Sequence, residues 1–179
     1  MSCPVVSGIF NREFNGVLMR CLKFISSSEK QTHLLAKRLA KGLKKNDCLA
    51  LVGDFGTGKT TFVRGLVEGL EGRKKNFVCS PSFVILKIYQ GRLPVYHFDL
   101  YRLNTERDLE DIGFSEFITS GGISAIEWAD RVKDVLPKAS LRIEFSSLDE
   151  NKRSISFYPS LKRLEGLVRG VFDAWARVQ

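Results

Sequence analysis

The sequence predicts one α/β domain, and three observations lead there. Cys48 to Val52 is a continuous apolar run, the pattern of a strand buried on both faces. A glycine-rich stretch then opens into a helix from about Lys59, whose Val63, Leu66, Val67 and Leu70 form one apolar stripe. Further on, alternating strands flank short polar turns, so helices and strands are interleaved along the chain. At 179 residues the chain fits a single domain. Its 44% hydrophobic and 27% charged residues exclude a disordered polyelectrolyte, which could not bury enough apolar surface to offset chain entropy.

Taken in order, residues 1–25 show no clear period and read as a poorly ordered lead-in followed by a short strand, Cys21 to Ile25. Ser28, with Gln31 three residues on, has the spacing of a helix capping box. Leu35, Leu39 and Leu43 follow at four-residue steps, predicting an amphipathic helix that ends near Lys44-Lys45-Asn46. After the central strand, loop and helix comes a basic loop, Glu71 to Asn76. Phe83 to Tyr89 and Val95 to Phe98 then read as a hairpin around Gln90-Gly91-Arg92. Glu106 to Ile112 is an acidic helical stretch that Phe114 to Ile118 could continue past Gly113. Ile123 to Ile126 is another apolar strand. Leu141 to Phe145 and Ser154 to Tyr158 alternate around the turn at Asp149 to Lys152. Beyond Pro159, Leu161, Leu164, Leu167, Val168, Val171, Phe172, Trp175 and Val178 outline an amphipathic helix, expected to pack on its own domain. The organisation read here is a lead-in over 1–25, a core domain over 26–158 and a C-terminal helix over 159–179.

Four cysteines, Cys3, Cys21, Cys48 and Cys79, contain no C-x-x-C pair, and only His33 and His97 could join them on a metal. A zinc site and a disulfide framework are therefore not expected, and reduced thiols in the cytoplasm are. No apolar run approaches the ~18 residues of a membrane span, so no membrane partner is expected. The formal charge is +8. Residues 1–45 hold 9 basic and 2 acidic side chains, residues 46–158 hold 15 and 16, and the last 21 residues hold 4 and 2. The excess is thus a local basic face, suited to tRNA or an acidic surface, rather than a coat over the whole domain.

Gly53-Asp54-Phe55-Gly56-Thr57-Gly58-Lys59-Thr60 matches the phosphate-binding loop G-x-x-x-x-G-K-[ST] at every required position, between a strand and a helix as that loop requires. Its glycines allow backbone turns closed to other residues and bring amides close to phosphate oxygens. Those amides sit at the positive end of the following helix. Lys59 is expected to reach the β and γ phosphates and the Thr60 hydroxyl to join a Mg²⁺ shell.

Such a loop also needs acids at strand ends. Ile123 to Glu127 and Val95 to Asp99 each deliver a carboxylate at the C-terminal end of a strand, where open α/β sheets bind ligands. Either alone is more often a helix cap or a solvated charge. Beside the loop, Glu127 and Asp99 become the candidate metal and catalytic carboxylates. His97 reads as structural. Trp128 is more often a core residue but follows Glu127 directly.

Gly53 to Thr61, Ser80-Pro81-Ser82-Phe83, Tyr96 to Arg102 (Tyr-His-Phe-Asp-Leu-Tyr-Arg) and Glu127-Trp128 occur in this order. The series resembles the TsaE (YjeE) family, bacterial P-loop ATPases required for threonylcarbamoyladenosine in tRNA. The likeness covers about residues 26–158, and Leu109 to Gly113 also resembles the family. It implies a small P-loop domain with a central mixed sheet flanked by helices. It further implies slow ATP hydrolysis, stimulated in a complex with the threonylcarbamoyl transferase TsaD and its partner TsaB, with tRNA met through that complex. By resemblance, ATP and Mg²⁺ are the cofactors. Lys59 would act with Asp99 at the catalytic centre, Thr60 and Glu127 would carry Mg²⁺ with Asp99 beside them, and Ser80 to Phe83, with Ser80 and Ser82, would form a switch-like loop. Nucleotide contacts would come from residues 53–61 (Gly53, Asp54, Phe55, Gly56, Thr57, Gly58, Lys59, Thr60, Thr61), from Trp128, from Glu29 and Thr32 at a helix start, and from Arg153 in the last hairpin. Phe55 and Thr57 replace the commoner Leu and Ala, and Ser82 the commoner Thr.

A small-molecule or nucleoside kinase shares this size and loop, yet the sequence has no helical hairpin of the kind that carries an arginine-bearing lid. A GTPase fits less well, because Asn151-Lys152 is followed by Arg153-Ser154 and no Asp-x-x-Gly occurs. A nucleic-acid-binding module would rest on basic charge alone.

Overall fold

The computed structural model describes residues 9–14, 17–70, 78, 81, 84–103 and 107–177. Residues 1–8 of the expected lead-in lie outside the described residues, which begin with a hairpin. β1 (Ile9–Phe14) runs antiparallel to β2 (Val17–Ser26), with Phe14 paired to Val17. Two residues, Asn15 and Gly16, connect them, and Asn-Gly between paired strands is the strongest short hairpin signal in a sequence. β2 is also longer than the expected Cys21 to Ile25 because it pairs on both edges. Val17 to Leu22 meet β1, and Leu22 to Ser26 meet β8 (Arg153–Pro159).

α1 (Glu29–Ala40) starts where the capping signal predicts. Ser28 accepts the Gln31 amide at 3.2 Å, and the Gln31 side chain accepts the Ser27 amide at 2.8 Å, one residue before the usual box. The helix stops at Ala40, short of the expected Lys44 to Asn46. The amides of Lys41, Gly42 and Leu43 each donate to a carbonyl three residues back, which tightens and ends the helix. Gly42 lies under Leu167, where a Cβ would stand 2.2 Å from a side-chain methyl.

Among the described residues the sheet has eight strands in the order β1-β2-β8-β7-β3-β6-β5-β4. β3 (Cys48–Val52) is flanked in parallel by β7 (Ser140–Ser147) and β6 (Ile123–Glu127), and β5 (Val95–Asp99) is parallel to β6. β4 (Leu86–Tyr89), β8, β2 and β1 add antiparallel edges, so the sheet is mixed. β4 begins three residues later than the expected Phe83, since Val84 and Ile85 both donate to the Pro81 carbonyl in a turn and Ile85 takes a left-handed φ of 62°. The pattern puts the C-terminal ends of four parallel strands together at the centre of one sheet edge, the usual position of a ligand crevice.

One face of the sheet packs on α1, α2 (Lys59–Leu70) and α5 (Lys162–Ala176). Phe24, Phe62 and Phe157 are fully buried there. Trp175 of α5 meets Phe24 edge to face at 5.0 Å, so the C-terminal helix packs on its own domain. The other face packs Cys48, Ala50, Phe98 and Ile126 against α3 (Arg107–Asp111) and α4 (Phe114–Thr119). Gly113, at φ 66°, separates α3 from α4, so the acidic stretch does not run on as one helix. Cys21 and Cys48 are free and buried, and burial with the adjacent Asp47 pushes the Cys48 thiol up to about 12. No helix among the described residues is long and apolar enough to cross a membrane.

The contact that positions the site is between α1 and α2. At Gly65 a Cβ would lie 2.2 Å from the His33 carbonyl, and at Gly69 one would lie 2.5 Å from the Lys37 carbonyl. Two glycines one turn apart let the helices touch backbone to backbone. Lys37 and His33 of α1 then close on Glu68 of α2. Gly65→Val should force the helices apart and lower stability by about 1–3 kcal/mol, read as a lower Tm with the fold retained.

Candidate functional site

The loop after β3 turns on three glycines in the left-handed region: Gly53 at φ 145°, Gly56 at φ 73° and Gly58 at φ 102°. Gly53 has a second constraint, because a Cβ there would stand 2.4 Å from the Phe145 carbonyl of β7. The loop is braced from within. The Thr57 hydroxyl donates to the Asp54 carbonyl at 2.8 Å, and Lys59 Nζ donates to the carbonyls of Gly53 and Asp54 at 2.6 and 2.7 Å. Lys59 also sits 4.1 Å above the Trp128 ring, a cation–π contact. Burial lowers its pKa below the ordinary lysine range, while Glu127, Asp99 and Asp54 pull the other way.

The two strand-end acids come together as the spacing predicts. Asp99 and Glu127 are register partners on β5 and β6, and both are buried. The Thr60 hydroxyl, in the first turn of α2, donates to both Glu127 oxygens, at 2.8 and 3.1 Å. Asp99 accepts the Tyr101 amide at 3.1 Å. Phe55, Gly56, Gly58 to Thr61, Asp99, Glu127 and Trp128 line a cleft of about 250 Å³. A cation, a hydroxyl, two carboxylates and the N-terminus of a helix thus converge on one volume. Hard oxygen donors of this kind suit Mg²⁺, which is held by one or two carboxylates together with phosphate oxygens.

His97, read as structural, contacts this group: its Nε2 lies 2.9 Å from Glu127 Oε1. The available signal was its spacing, since residues two apart on a strand share a face and His97 precedes Asp99 by two. Trp128 is partly buried, packed against the cluster under α3 and α4 rather than within it. It holds φ 60° and packs with Phe55 and Tyr101, ring centroids 4.5 to 5.0 Å apart. Phe55 is 66% exposed, so this aromatic triangle faces outward at the mouth of the cleft.

A second group meets the loop from its other side, outside that cleft. Glu29, in the first turn of α1, accepts from the Thr61 hydroxyl at 3.0 Å and from Arg64 at 3.1 Å. Thr32 is buried with its hydroxyl 2.8 Å from that of Ser26. Arg153 and Thr32 both flank Gly58, where a Cβ would lie 3.1 Å from the guanidinium and 3.8 Å from the Thr32 methyl. Ser80 and Ser82 lie outside the described residues.

A family model described as "Threonylcarbamoyl adenosine biosynthesis protein TsaE" matches residues 26–155. The chain belongs to the TsaE family. A Bacillus subtilis protein named tRNA threonylcarbamoyladenosine biosynthesis protein TsaE is 38% identical over 150 residues, covering 83% of this chain and 92% of its own. A Treponema pallidum protein of the same name is 36% identical over 138 residues, covering 77% and 98%. The crystal structure of Bacillus subtilis YdiB superposes with a TM-score of 0.74 at 33% identity, over 87% of this chain and 96% of that one. The TsaE match takes in the loop, both acids, Trp128 and Arg153. β1, nearly all of β2 and α5 fall outside it.

The left-handed backbone at Trp128 costs an ordinary residue about 1–2 kcal/mol. Replacing Trp128 removes the same ring contacts whether Gly or Ala is introduced, and Gly alone relieves the backbone. Trp128→Gly should therefore be more stable than Trp128→Ala by about 1 kcal/mol in a denaturant titration.

Proposed function

We propose that this TsaE-family protein binds ATP with Mg²⁺ at the loop of residues 53–60 and hydrolyses it in support of tRNA threonylcarbamoyladenosine formation. One observation carries the reading: the Thr60 hydroxyl, the Lys59 ammonium and the buried Asp99–Glu127 pair converge at the start of α2. A phosphate-binding loop next to buried strand-end carboxylates is the equipment of nucleotide hydrolysis, in which catalysis is mostly positioning and charge stabilisation.

The roles follow from the chemistry of each group. Amides of the loop and of the first turn of α2 would hold the phosphates. Lys59, which donates to two loop carbonyls, would exchange them for phosphate oxygens. Thr60 and Glu127 would hold Mg²⁺, with Asp99 alongside. Bound there, the cation would neutralise charge developing on the phosphates. Asp99, buried and anchored by the Tyr101 amide, would orient the attacking water. Trp128 and Phe55 would shield the phosphate end from solvent. Glu29, Thr32 and Arg153 would contact the nucleoside side of the nucleotide. Ser80 and Ser82 would contribute from a switch-like loop. By family resemblance, TsaD and TsaB are the partners that stimulate turnover, and tRNA is reached through them.

Lys59→Ala should weaken ATP binding about 10- to 100-fold, the loss expected of one or two charge-assisted hydrogen bonds. Glu127→Ala should abolish Mg²⁺-dependent hydrolysis while retaining nucleotide binding. Both are measured by equilibrium binding and by phosphate release, and wild-type turnover in the Glu127 variant would overturn its assignment. Phosphate release should also rise when TsaD and TsaB are added together. Unchanged turnover in a verified ternary complex would remove the partner reading.

A further inference from the structure

β5 alternates between the two faces of the sheet. Tyr96 and Phe98 join the cluster under α3 and α4, whereas Val95, His97 and Asp99 face the α2 side. His97 has no solvent exposure. Its partner in register on β6 is Ala125, whose small side chain leaves room for the imidazole to reach diagonally to Glu127, two residues further on. Tyr89 packs beside the ring, with centroids 6.1 Å apart. Since a carboxylate oxygen accepts, Nε2 carries the proton and donates to Glu127 Oε1 across 2.9 Å.

Two features set this contact apart from ordinary core packing. First, Nδ1 is buried with no hydrogen-bond partner among the described residues. A side chain kept only to fill space would not leave a polar atom orphaned, because an apolar residue of similar size avoids that cost. Second, the two oxygens of Glu127 are treated unequally. Oε1 receives both His97 and the nearer Thr60 contact, while Oε2 has the 3.1 Å contact from Thr60. A donor held on one oxygen fixes the rotation of the carboxylate plane and leaves the other oxygen to serve the cleft.

We propose that His97 is a positioning residue for Glu127, donating from Nε2 to Oε1 so that the carboxylate is presented to the metal-bound nucleotide through Oε2. The inference rests on the Mg²⁺–ATP reading above and adds to it a residue that touches neither nucleotide nor metal. Carboxylates that hold metals are commonly held by hydrogen bonds of their own, and loss of such a partner lowers metal affinity or activity about 10- to 100-fold.

The test compares Kd values for a fluorescent ATP analogue in EDTA and in Mg²⁺, with Tm recorded for each protein. His97→Phe keeps a ring and removes the donor; His97→Gln restores an amide N–H near the place of Nε2. The affinity gained on adding Mg²⁺ should fall about 10-fold or more in His97→Phe, while its Kd in EDTA stays within about twofold of wild type. His97→Gln should recover most of that gain. An unaltered Mg²⁺ gain in His97→Phe, an equal loss in EDTA and Mg²⁺, or a His97→Gln variant no better than His97→Phe would overturn the assignment. If His97→Phe fails to fold, His97→Gln against His97→Asn decides. The shorter Asn cannot span the distance, so equal behaviour of the two would overturn it. A wild-type protein showing no Mg²⁺ gain would bring down the metal reading itself, a result distinct from a wild-type gain that His97→Phe preserves.

Discussion

The hydrogen bond from Thr60 to Glu127 joins the two halves of this site. Thr60 belongs to α2 and Glu127 to the end of β6, and the bond locks the first turn of the helix over the sheet edge. With that turn set, Lys59 lies inside the loop and Asp99 stands beside Glu127 on the neighbouring strand. The direction of α2 is set independently by Gly65 and Gly69 against the backbone of α1. The same contact carries Glu29 and Thr32 to the other flank of the loop. One helix, held at its start by a side-chain hydrogen bond and along its length by backbone contact, thus organises both sides of the site.

Electrostatics makes the arrangement costly in isolation and useful together. Lys59, Asp99 and Glu127 are all buried, and a buried charge without partners would be expelled or neutralised. Each has partners here: carbonyls and an aromatic face for the lysine, a backbone amide for Asp99, a hydroxyl and an imidazole for Glu127. The charged groups are therefore oriented before any ligand arrives, the condition under which fixed dipoles contribute most to a reaction. Away from the site, several cations of the basic N-terminal region pair with groups on other elements. Lys37 pairs with Glu68, Arg20 with Glu165, and Arg38 lies 4.7 Å over the Trp175 ring. Part of the positive excess of residues 1–45 thus serves packing between elements.

The central βα unit and both acid-bearing strands are legible in the sequence because their signals are local: a continuous apolar run, a spaced glycine loop, an acid ending each strand. Family resemblance supplies the mixed sheet. What sequence reading misses depends on contacts between distant segments. β1 and the full length of β2 need the pairing partners that a weak apolar pattern does not reveal, although Asn15-Gly16 was an available signal. After Ala40 the chain tightens through Lys41 to Leu43, and Gly42 there lies under Leu167, more than a hundred residues away. Gly65 and Gly69 look like poor helix residues until α1 is set against them. Sequence spacing gives His97 the usual fate of a strand histidine, while family resemblance places Trp128 at the nucleotide site without revealing its backbone conformation. The hydrogen bond to Glu127 and the left-handed φ that turns the indole over Lys59 are tertiary facts.

The central claim is that Thr60 and Glu127 present oxygens to a nucleotide-bound cation at the start of α2. A crystal structure with a non-hydrolysable ATP analogue and Mn²⁺, with anomalous data collected at the manganese edge, tests it most directly. The account predicts one anomalous peak within coordination distance of both Thr60 Oγ1 and a Glu127 oxygen, with the phosphates cradled by residues 53–60. A peak ligated elsewhere, or a nucleotide seated away from that loop, would contradict it.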